Sequence, residues 1–255
     1  MPQKIMADNV SSSFFHGYYK EIWRQIFPEK TSLAEVDYIL EEGNLKPGSS
    51  VLDIMCGYGR HSLELAKRGL KVTAIDNLPD YTEEIRKIAE NESLDVETIC
   101  SDVLQVSLNR QYDAIICMGN SLQFFNEQDT LRLLSELSKH IKPGGLFLIN
   151  TWSVAEIIFK QFRDKSWGRF GDMLFLTECK IHFRPARMET TSIIITDSGE
   201  REEKKAVDFI YSLAEMEVML NRSGFLVKEI YSIPGKKKFS IGDQRLYILA
   251  EKKFS

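Results

Sequence analysis

Four residues in the first third of the chain have the types and spacing to grip a nucleoside: Asp53, Gly57, Gly59 and Asp76. Glycine turns the backbone with positive φ and lets a ligand approach without a Cβ in the way. Gly57-Tyr58-Gly59 follows the apolar run Val51-Leu52-Asp53-Ile54 and precedes a helix starting near Arg60, whose free N–H groups would point at whatever lies on the loop. Something polar or anionic is therefore expected on Gly57 to Gly59. The competing reading is a glycine turn that merely packs helix on strand. Asp76 ends the next apolar run, Val72-Thr73-Ala74-Ile75. A carboxylate roughly 20 residues past such glycines can accept hydrogen bonds from both hydroxyls of a ribose. NAD and S-adenosylmethionine both carry one.

Those positions need a scaffold, and the flanking sequence supplies it. Val51 to Ile54 is too short and too β-branched for a helix and reads as a buried parallel strand. Pro79 opens a helix to about Glu90, Val96 to Cys100 and Tyr112 to Met118 read as further strands, a helix runs from about Gln128 to His140, and Leu146 to Thr151 is a fifth strand. Strands alternating with helices imply a parallel sheet covered on both faces. Upstream, aromatics and aliphatics recur at helical intervals from Phe14 to Glu42, with Pro28 as a break, Thr31 or Ser32 as N-cap, Glu35 as its box partner and Gly43 as the stop. From about Met173 to Ser212 there are three extended runs with turns at Arg184–Arg187 and Asp197–Glu200; this reads as an antiparallel insertion. Ser212 then caps a last helix, followed by strands Phe225 to Ile233 and Arg245 to Ala250.

The fold expected is α/β, a doubly wound, Rossmann-like seven-stranded sheet with an N-terminal helical cap and an antiparallel β insertion before the last helix. The division expected is 1–48 for the cap, 49–172 for the cofactor-binding core, 173–211 for an insertion acting as substrate lid, and 212–255 for the closing helix and strands. With 33 Lys and Arg against 37 Asp and Glu, the net charge of −4 gives no basic field for a phosphate backbone, so nucleic acid is not an expected partner. Cys56, Cys100, Cys117 and Cys179 lie far apart with no pair at metal spacing, and three fall in or beside expected buried strands. That usage reads as a reducing cytoplasm, and no metal is expected. The segment Met1 to Met6 has no apolar run of signal-peptide length and no later stretch reaches membrane-spanning length, so no membrane contact is expected.

Taken together, Val51-Leu52-Asp53, Cys56-Gly57-Tyr58-Gly59, Ala74-Ile75-Asp76, Cys100-Ser101-Asp102-Val103, Tyr112 to Ile116 and Lys142-Pro143-Gly144-Gly145 resemble the class I S-adenosylmethionine-dependent methyltransferases, from about Ser49 to Lys252. The resemblance implies S-adenosyl-L-methionine as cofactor and methyl transfer as reaction. It further implies that the Gly57 region lines the methionine part, Asp76 holds the ribose hydroxyls, Asp102 meets the adenine amino group and Asp53 orients the loop from beneath. Cys56, Gly59, Arg60, Asn77, Val103 and Met118 complete the cofactor set that it implies. Met55 departs from the pattern, which usually has glycine or another small residue there. Cys117 to Leu122 looks like the corresponding segment of small-molecule N-methyltransferases of the glycine and amino-sugar kinds, although Phe124 stands where some of them have histidine.

A sulfonium is already an activated donor, so the protein must chiefly align a nucleophile and exclude water, which is worth up to roughly 7 to 11 kcal/mol. A neutral amine needs only that, whereas an oxygen acceptor wants a base or metal. The acceptor expected is thus a small molecule, nitrogen before oxygen. Asn120, at the end of the fourth strand, either accepts a hydrogen bond from the amine or caps its loop. Tyr18 and Tyr19 either fold over the cofactor or pack the helix. Arg60 either pairs with the methionine carboxylate or is solvated. Asn120 and Tyr19 are the catalytic candidates. His61 and His140 read as helix-surface residues, His182 as an exposed polar face or the lining of an acidic-substrate pocket, and His16 as within reach of the site if the cap closes. The run Arg201-Glu202-Glu203-Lys204-Lys205 reads as a hairpin tip. Two other functions share the motif: an NAD(P)-dependent oxidoreductase, which Gly57-x-Gly59-x-x-Ser62 nearly fits but which lacks a tyrosine followed four residues on by lysine, and a non-catalytic S-adenosylmethionine-binding module. The insertion's strands allow pairing across a two-fold axis, hence a possible homodimer.

Overall fold

The structure, a computed structural model, describes residues 14–233 and 235–253. The segment Met1 to Met6, the rest of the expected cap up to residue 13, and Pro234 lie outside the described residues. The chain opens with helices α1 (Tyr18–Ile26) and α2 (Glu29–Glu42), then alternates β1 (Ser50–Ile54), α3 (Arg60–Lys67), β2 (Lys71–Asp76), α4 (Pro79–Glu92), β3 (Val96–Cys100), β4 (Tyr112–Cys117), α5 (Glu127–Leu137) and β5 (Ile141–Thr151). After α6 (Ala155–Gln161) come β6 (Lys165–Phe170), β7 (Met173–Phe183), β8 (Ala186–Thr196) and β9 (Arg201–Phe209), then α7 (Leu213–Arg222), β10 (Phe225–Ile233), β11 (Lys237–Lys238) and β12 (Leu246–Lys252).

The first sheet runs in the order β11-β10-β12-β5-β4-β1-β2-β3. Strands β1 to β5 pair in parallel and β12 is antiparallel to both β5 and β10. It has eight strands rather than the seven expected, because Lys237–Lys238 pairs with the end of β10 and adds a two-residue edge that carries no sequence periodicity of its own. The central strands are apolar on both faces: Val51, Leu52, Ile54, Ala114, Ile115, Ile116, Phe147, Leu148 and Ile149 are fully buried. Helices cover them from both sides, as a parallel sheet requires. Strand order reverses between β1 and β4, the topological switch point outside whose carboxyl ends such folds bind ligands.

The second sheet, β6-β7-β8-β9, is wholly antiparallel. It has four strands, not three, and starts at Lys165, because Lys165–Phe170 pairs residue for residue with β7 although its sequence lacks an alternating pattern. The run Arg201 to Lys205 lies within β9 rather than at a tip; the turn is at Asp197 to Glu200. Phe14, Tyr19 and Ile22 of the N-terminal segment pack on Met173, Ile194 and Ala206 of this sheet, so α1 is held between the two sheets. Among the described residues no helix is long and apolar enough to cross a membrane.

Candidate active site

The bend after β1 is built by three successive departures from ordinary backbone: Met55 at φ 53°, Gly57 at 57° and Gly59 at 77°. The first is costly for a side chain, by about 1–2 kcal/mol. Its compensation is that the Cys56 N–H donates to the Ile75 carbonyl at 3.0 Å, and the Gly57 N–H to Asp76 Oδ2 at 2.8 Å, so β2 holds the bend open. Gly59 is the residue before α3 and lies over Ile85 of α4; a Cβ there would stand 2.5 Å from Ile85 Cγ1. A Cβ on Gly57 would meet nothing within 4 Å. One glycine is required by packing and the other faces open space.

That space is a cleft of about 940 Å³, its mouth included. Asp53 and Met55 at the end of β1, Asp76 and Asn77 at the end of β2, Asp102 and Val103 after β3, and Met118 and Gly119 after β4 all line it. Of the ten residues expected around a cofactor, Asp53, Cys56, Gly57, Arg60, Asp76, Asn77, Asp102, Val103 and Met118 line the cleft; Gly59 sits behind it against Ile85. Asp76 also accepts from the Leu78 N–H at 3.0 Å through Oδ1. Each of its oxygens thus has one protein donor and one lone pair to spare. Burial pushes the Asp76 carboxyl upward, and the backbone N–H donors at Gly57 and Leu78 act against it. Asp102 accepts from the Leu104 N–H at 2.9 Å. Beneath the bend, Asp53 is 1% exposed, accepts from Ser62 Oγ at 2.6 Å, and is pushed by burial to about 7. Burial also drives the Cys56 thiol well above its ordinary range, which leaves it a packing group rather than a nucleophile.

Arg60 enters the cleft from α3, and what holds it was not visible in the sequence. Its Nη1 donates to Glu35 and, at 3.0 Å, to Ser32 Oγ, and the guanidinium lies 4.6 Å from the Phe27 ring centre. Ser32 and Glu35 are therefore not a capping box: α2 begins at Glu29 after Pro28, and both residues sit inside the helix and face α3. Nor is His61 on the surface. It is 2% exposed, and its Nε2 lies 2.8 Å from Glu35 Oε2. Glu35 also accepts from the Tyr247 hydroxyl at 2.6 Å. Burial alone would raise Glu35, but the hydrogen bond from His61 and the Arg60 guanidinium outweigh it and hold the carboxyl at about 2. Burial and the Arg60 charge push His61 down to about 4, so near neutrality it is an uncharged donor. Arg60 Nη2 is buried with no partner among the described residues. An unpaired buried guanidinium nitrogen, an open face at Gly57 and a half-used carboxylate at Asp76 together fit a ligand that carries a carboxylate and a ribose.

The far wall is aromatic: Phe15, Trp23, Tyr81, Phe124 and Phe125 line it. Phe124 is the one of these that the sequence ties to the site, as the position where some relatives have histidine; Phe15, Trp23, Tyr81 and Phe125 come from segments whose apolar spacing reads equally as core. Helix α1 is clasped over the cleft by Lys20 and Arg24, both bonded to Glu84 of α4. The Tyr81 hydroxyl donates to the Phe15 carbonyl at 3.0 Å. The two expected catalytic residues do not line the cleft. Tyr19 is packed behind the wall, its ring 4.3 Å from Phe14 and stacked at 5.9 Å on Trp23. Tyr18 points instead to the second sheet, donating its hydroxyl to Glu200. Asn120 lies between the lining residues Gly119 and Ser121 with its side chain directed inward, 4% exposed. His182 pairs with Glu189 at 3.2 Å, away from the cleft, and Cys100 is exposed rather than buried.

Residues 51–145 match a family described as methyltransferase domain. The chain carries a methyltransferase domain over those residues. It is similar to a carboxy-S-adenosyl-L-methionine synthase of Yersinia enterocolitica, at 24% identity over 71% of this chain and 72% of that one. A glycine/sarcosine N-methyltransferase of Aphanothece halophytica is 24% identical over 62% of this chain and 61% of the other. A ubiquinone biosynthesis O-methyltransferase of Rickettsia akari is 32% identical over 40% and 39%. The methyltransferase thus spans less than two thirds of the length of the last two relatives. Its fold is that of an S-adenosylmethionine-dependent methyltransferase from Clostridium acetobutylicum, with a TM-score of 0.80, 19% identity, and 92% and 96% of the two chains covered. An amino pentose methyltransferase from Micromonospora echinaspora, solved with S-adenosylmethionine bound, superposes with a TM-score of 0.68 at 16% identity over 93% and 98%. The cofactor of this methyltransferase is S-adenosylmethionine.

Proposed function

We propose that the protein transfers a methyl group to the nitrogen of a small-molecule amine. The observation that carries this reading is the make-up of the cleft's far wall. Beside Met118 and Gly119 it presents the rings of Phe15, Trp23 and Phe124, and the imidazole that lines the cleft, His61, is uncharged and already bonded to Glu35. Such a wall excludes water, suits a cationic or weakly basic nitrogen against its π faces, and leaves alignment as the main catalytic device. The nitrogen-methylating relatives with glycine and sarcosine in their names support it, and the O-methyltransferase relative is the reading to be tested against it.

Bound in the cleft, S-adenosylmethionine supplies an electrophilic methyl on a sulfonium. The residues that would hold it are Gly57 and Cys56 against the methionine chain, Arg60 through its free Nη2 at the carboxylate, Asp76 at the ribose, and Asp102 with Asn77, Val103 and Met118 around the base. Asp53 would act one layer below, keeping the bend in place through Ser62. The antiparallel sheet and α1 would roof the acceptor side and set its choice, as a lid over residues 49–172. The experiment is a screen of glycine, sarcosine, glucosamine, a phenol and a carboxylate for release of S-adenosylhomocysteine, with calorimetric titration of S-adenosylmethionine and NAD alongside. Turnover on amines is expected. Turnover on the phenol alone would replace nitrogen by oxygen, tight cofactor binding without turnover would leave a binding module, and NAD binding alone would make the protein an oxidoreductase.

A further inference from the structure

Asn120 is saturated. Its Oδ1 accepts from Thr151 Oγ1 at 2.7 Å and from the Trp152 and Ser153 N–H groups at 2.9 Å each, and its two Nδ2 hydrogens go to Ser153 Oγ at 2.9 Å and to Asp208 Oδ1 at 3.0 Å. A carboxamide so bonded has nothing left for an acceptor. It does fix a second group: Asp208, at the end of β9, is drawn from the second sheet onto the rim of the first. Asp208 is 9% exposed, and Asn120 is the one protein donor to its side chain among the described residues, all of it on Oδ1. No Lys, Arg or His pairs with it among those residues. A buried carboxylate with one neutral donor and no countercharge is an unfinished site.

Asp208 does not itself line the cleft; through Asn120 it lies one residue behind the wall where the acceptor would sit. Gly119 and Ser121 on either side of Asn120 line the cleft, and Tyr19, which feels the Asp208 charge, stacks on the lining residue Trp23. We infer that Asp208 is the carboxylate that binds the acceptor's ammonium group and takes its proton, with Asn120 as the positioning residue that holds it there. This rests on the nitrogen reading above. The ammonium N–H bond breaks toward Asp208 Oδ2, giving a carboxylic acid and a neutral amine. The nitrogen lone pair then forms the N–C bond while the C–S bond breaks and its electrons stay on sulfur. The acid afterwards loses its proton to water, so charge and atoms balance. Burial pushes Asp208 up to about 7, which suits it to exchange a proton near neutrality. The titratable groups that face it are Tyr19 from α1 and Cys179 from β7, both pushed upward by burial and therefore uncharged.

Asp208→Asn keeps the acceptor for Asn120 and removes the charge; Asp208→Glu restores the charge. The test loads each protein with S-adenosylhomocysteine and titrates in methylammonium and glycine by calorimetry, then measures kcat/KM for the best amine of the screen against pH. Asp208→Asn is expected to weaken amine binding at least tenfold with cofactor affinity unchanged. Its acid limb should move from about 7 to the amine's own pKa, and Asp208→Glu should recover part of both. Equal amine binding and the same acid limb in wild type and Asp208→Asn would overturn the role of Asp208 while leaving amine methylation standing. Failure of the wild type to methylate any amine would overturn the nitrogen reading and this inference with it.

Discussion

The two glycines of the bend should fail in opposite assays when each is changed to alanine. Both hold left-handed backbone, which costs an alanine about 1–2 kcal/mol. At Gly59 the new methyl would also stand 2.5 Å from Ile85 Cγ1 and 2.8 Å from Cδ1. Ile85 is fully buried and cannot swing aside, so the overlap adds about 1–3 kcal/mol. The sum, about 2–5 kcal/mol, corresponds to a fall in Tm of about 4–20 °C for a chain of this size. At Gly57 the methyl meets no protein atom within 4 Å and would project into the cleft. Gly57→Ala should therefore lose only the backbone contribution in stability but about tenfold or more in affinity for S-adenosylmethionine, that is about 1.4 kcal/mol or more. Differential scanning calorimetry and isothermal titration read the two effects separately. A cycle with Ile85→Ala sharpens the test, because that change removes the overlap and the double variant should be about 1–3 kcal/mol more stable than the sum of the singles. Equal melting of the two glycine variants, or an additive cycle, would refute the packing argument. Unchanged cofactor affinity in Gly57→Ala would take the bend out of the binding site.

Asp76→Ala should raise the Kd for S-adenosylmethionine by about 100-fold or more, since two charge-assisted hydrogen bonds of about 1.5–3 kcal/mol each are lost; an unchanged Kd in calorimetry removes Asp76 from the site. Asp53 has its folded pKa raised to about 7, so its contribution is fully present below the ordinary carboxylate range and is lost as pH rises from about 4 through 7, about 4 kcal/mol in all. Asp53→Asn, which can still accept from Ser62, should match the wild type in urea unfolding near pH 4 and exceed it at pH 8; a difference that does not change with pH would contradict this. Glu84→Gln should leave stability within about 1 kcal/mol, as expected for a partly exposed ion pair, yet speed cofactor release several-fold in stopped flow by freeing α1 from α4. Identical release rates would mean that α1 does not gate the cleft.

The parts of the site that the sequence discloses are those carried by one short stretch. Asp53, the glycine bend and Asp76 are adjacent in the chain or one strand apart, and parallel pairing of β1 with β2 brings them together without further information. The helices and strands of the core were legible for the same reason: each is fixed by a local period and a Gly, Pro or Ser boundary. What could not be read are partners remote in sequence. Ser32 and Glu35 have the spacing of a capping box, and local rules assign them to one; only the packing of α2 on α3, 25 residues on at Arg60, turns them into the support of a cleft arginine. His61 follows a polar residue at the start of a helix and reads as surface for lack of any sign of Glu35. Asp208 follows a charged strand and precedes Phe209-Ile210-Tyr211, so it reads as one more polar position; its bond to Asn120 spans 88 residues. Lys165–Phe170 was missed because its side chains do not alternate and its register is set by β7 alone.

Chain segments 155–210 leave and re-enter the first sheet side by side. Val154 bridges Tyr211, and the Ala155 N–H donates to the Tyr211 carbonyl at 3.0 Å. The upper storey is thus joined to the first sheet along the chain at one paired threshold, with α1 packed against it from the side. Such an arrangement is modular in the builder's sense: a differently shaped storey from a sister protein can be spliced in by matching one doorway, with the nucleoside-gripping floor below undisturbed. Asp208 reaches across the threshold to Asn120, so any transplant that omits it would leave a carboxamide of the floor facing an empty chair.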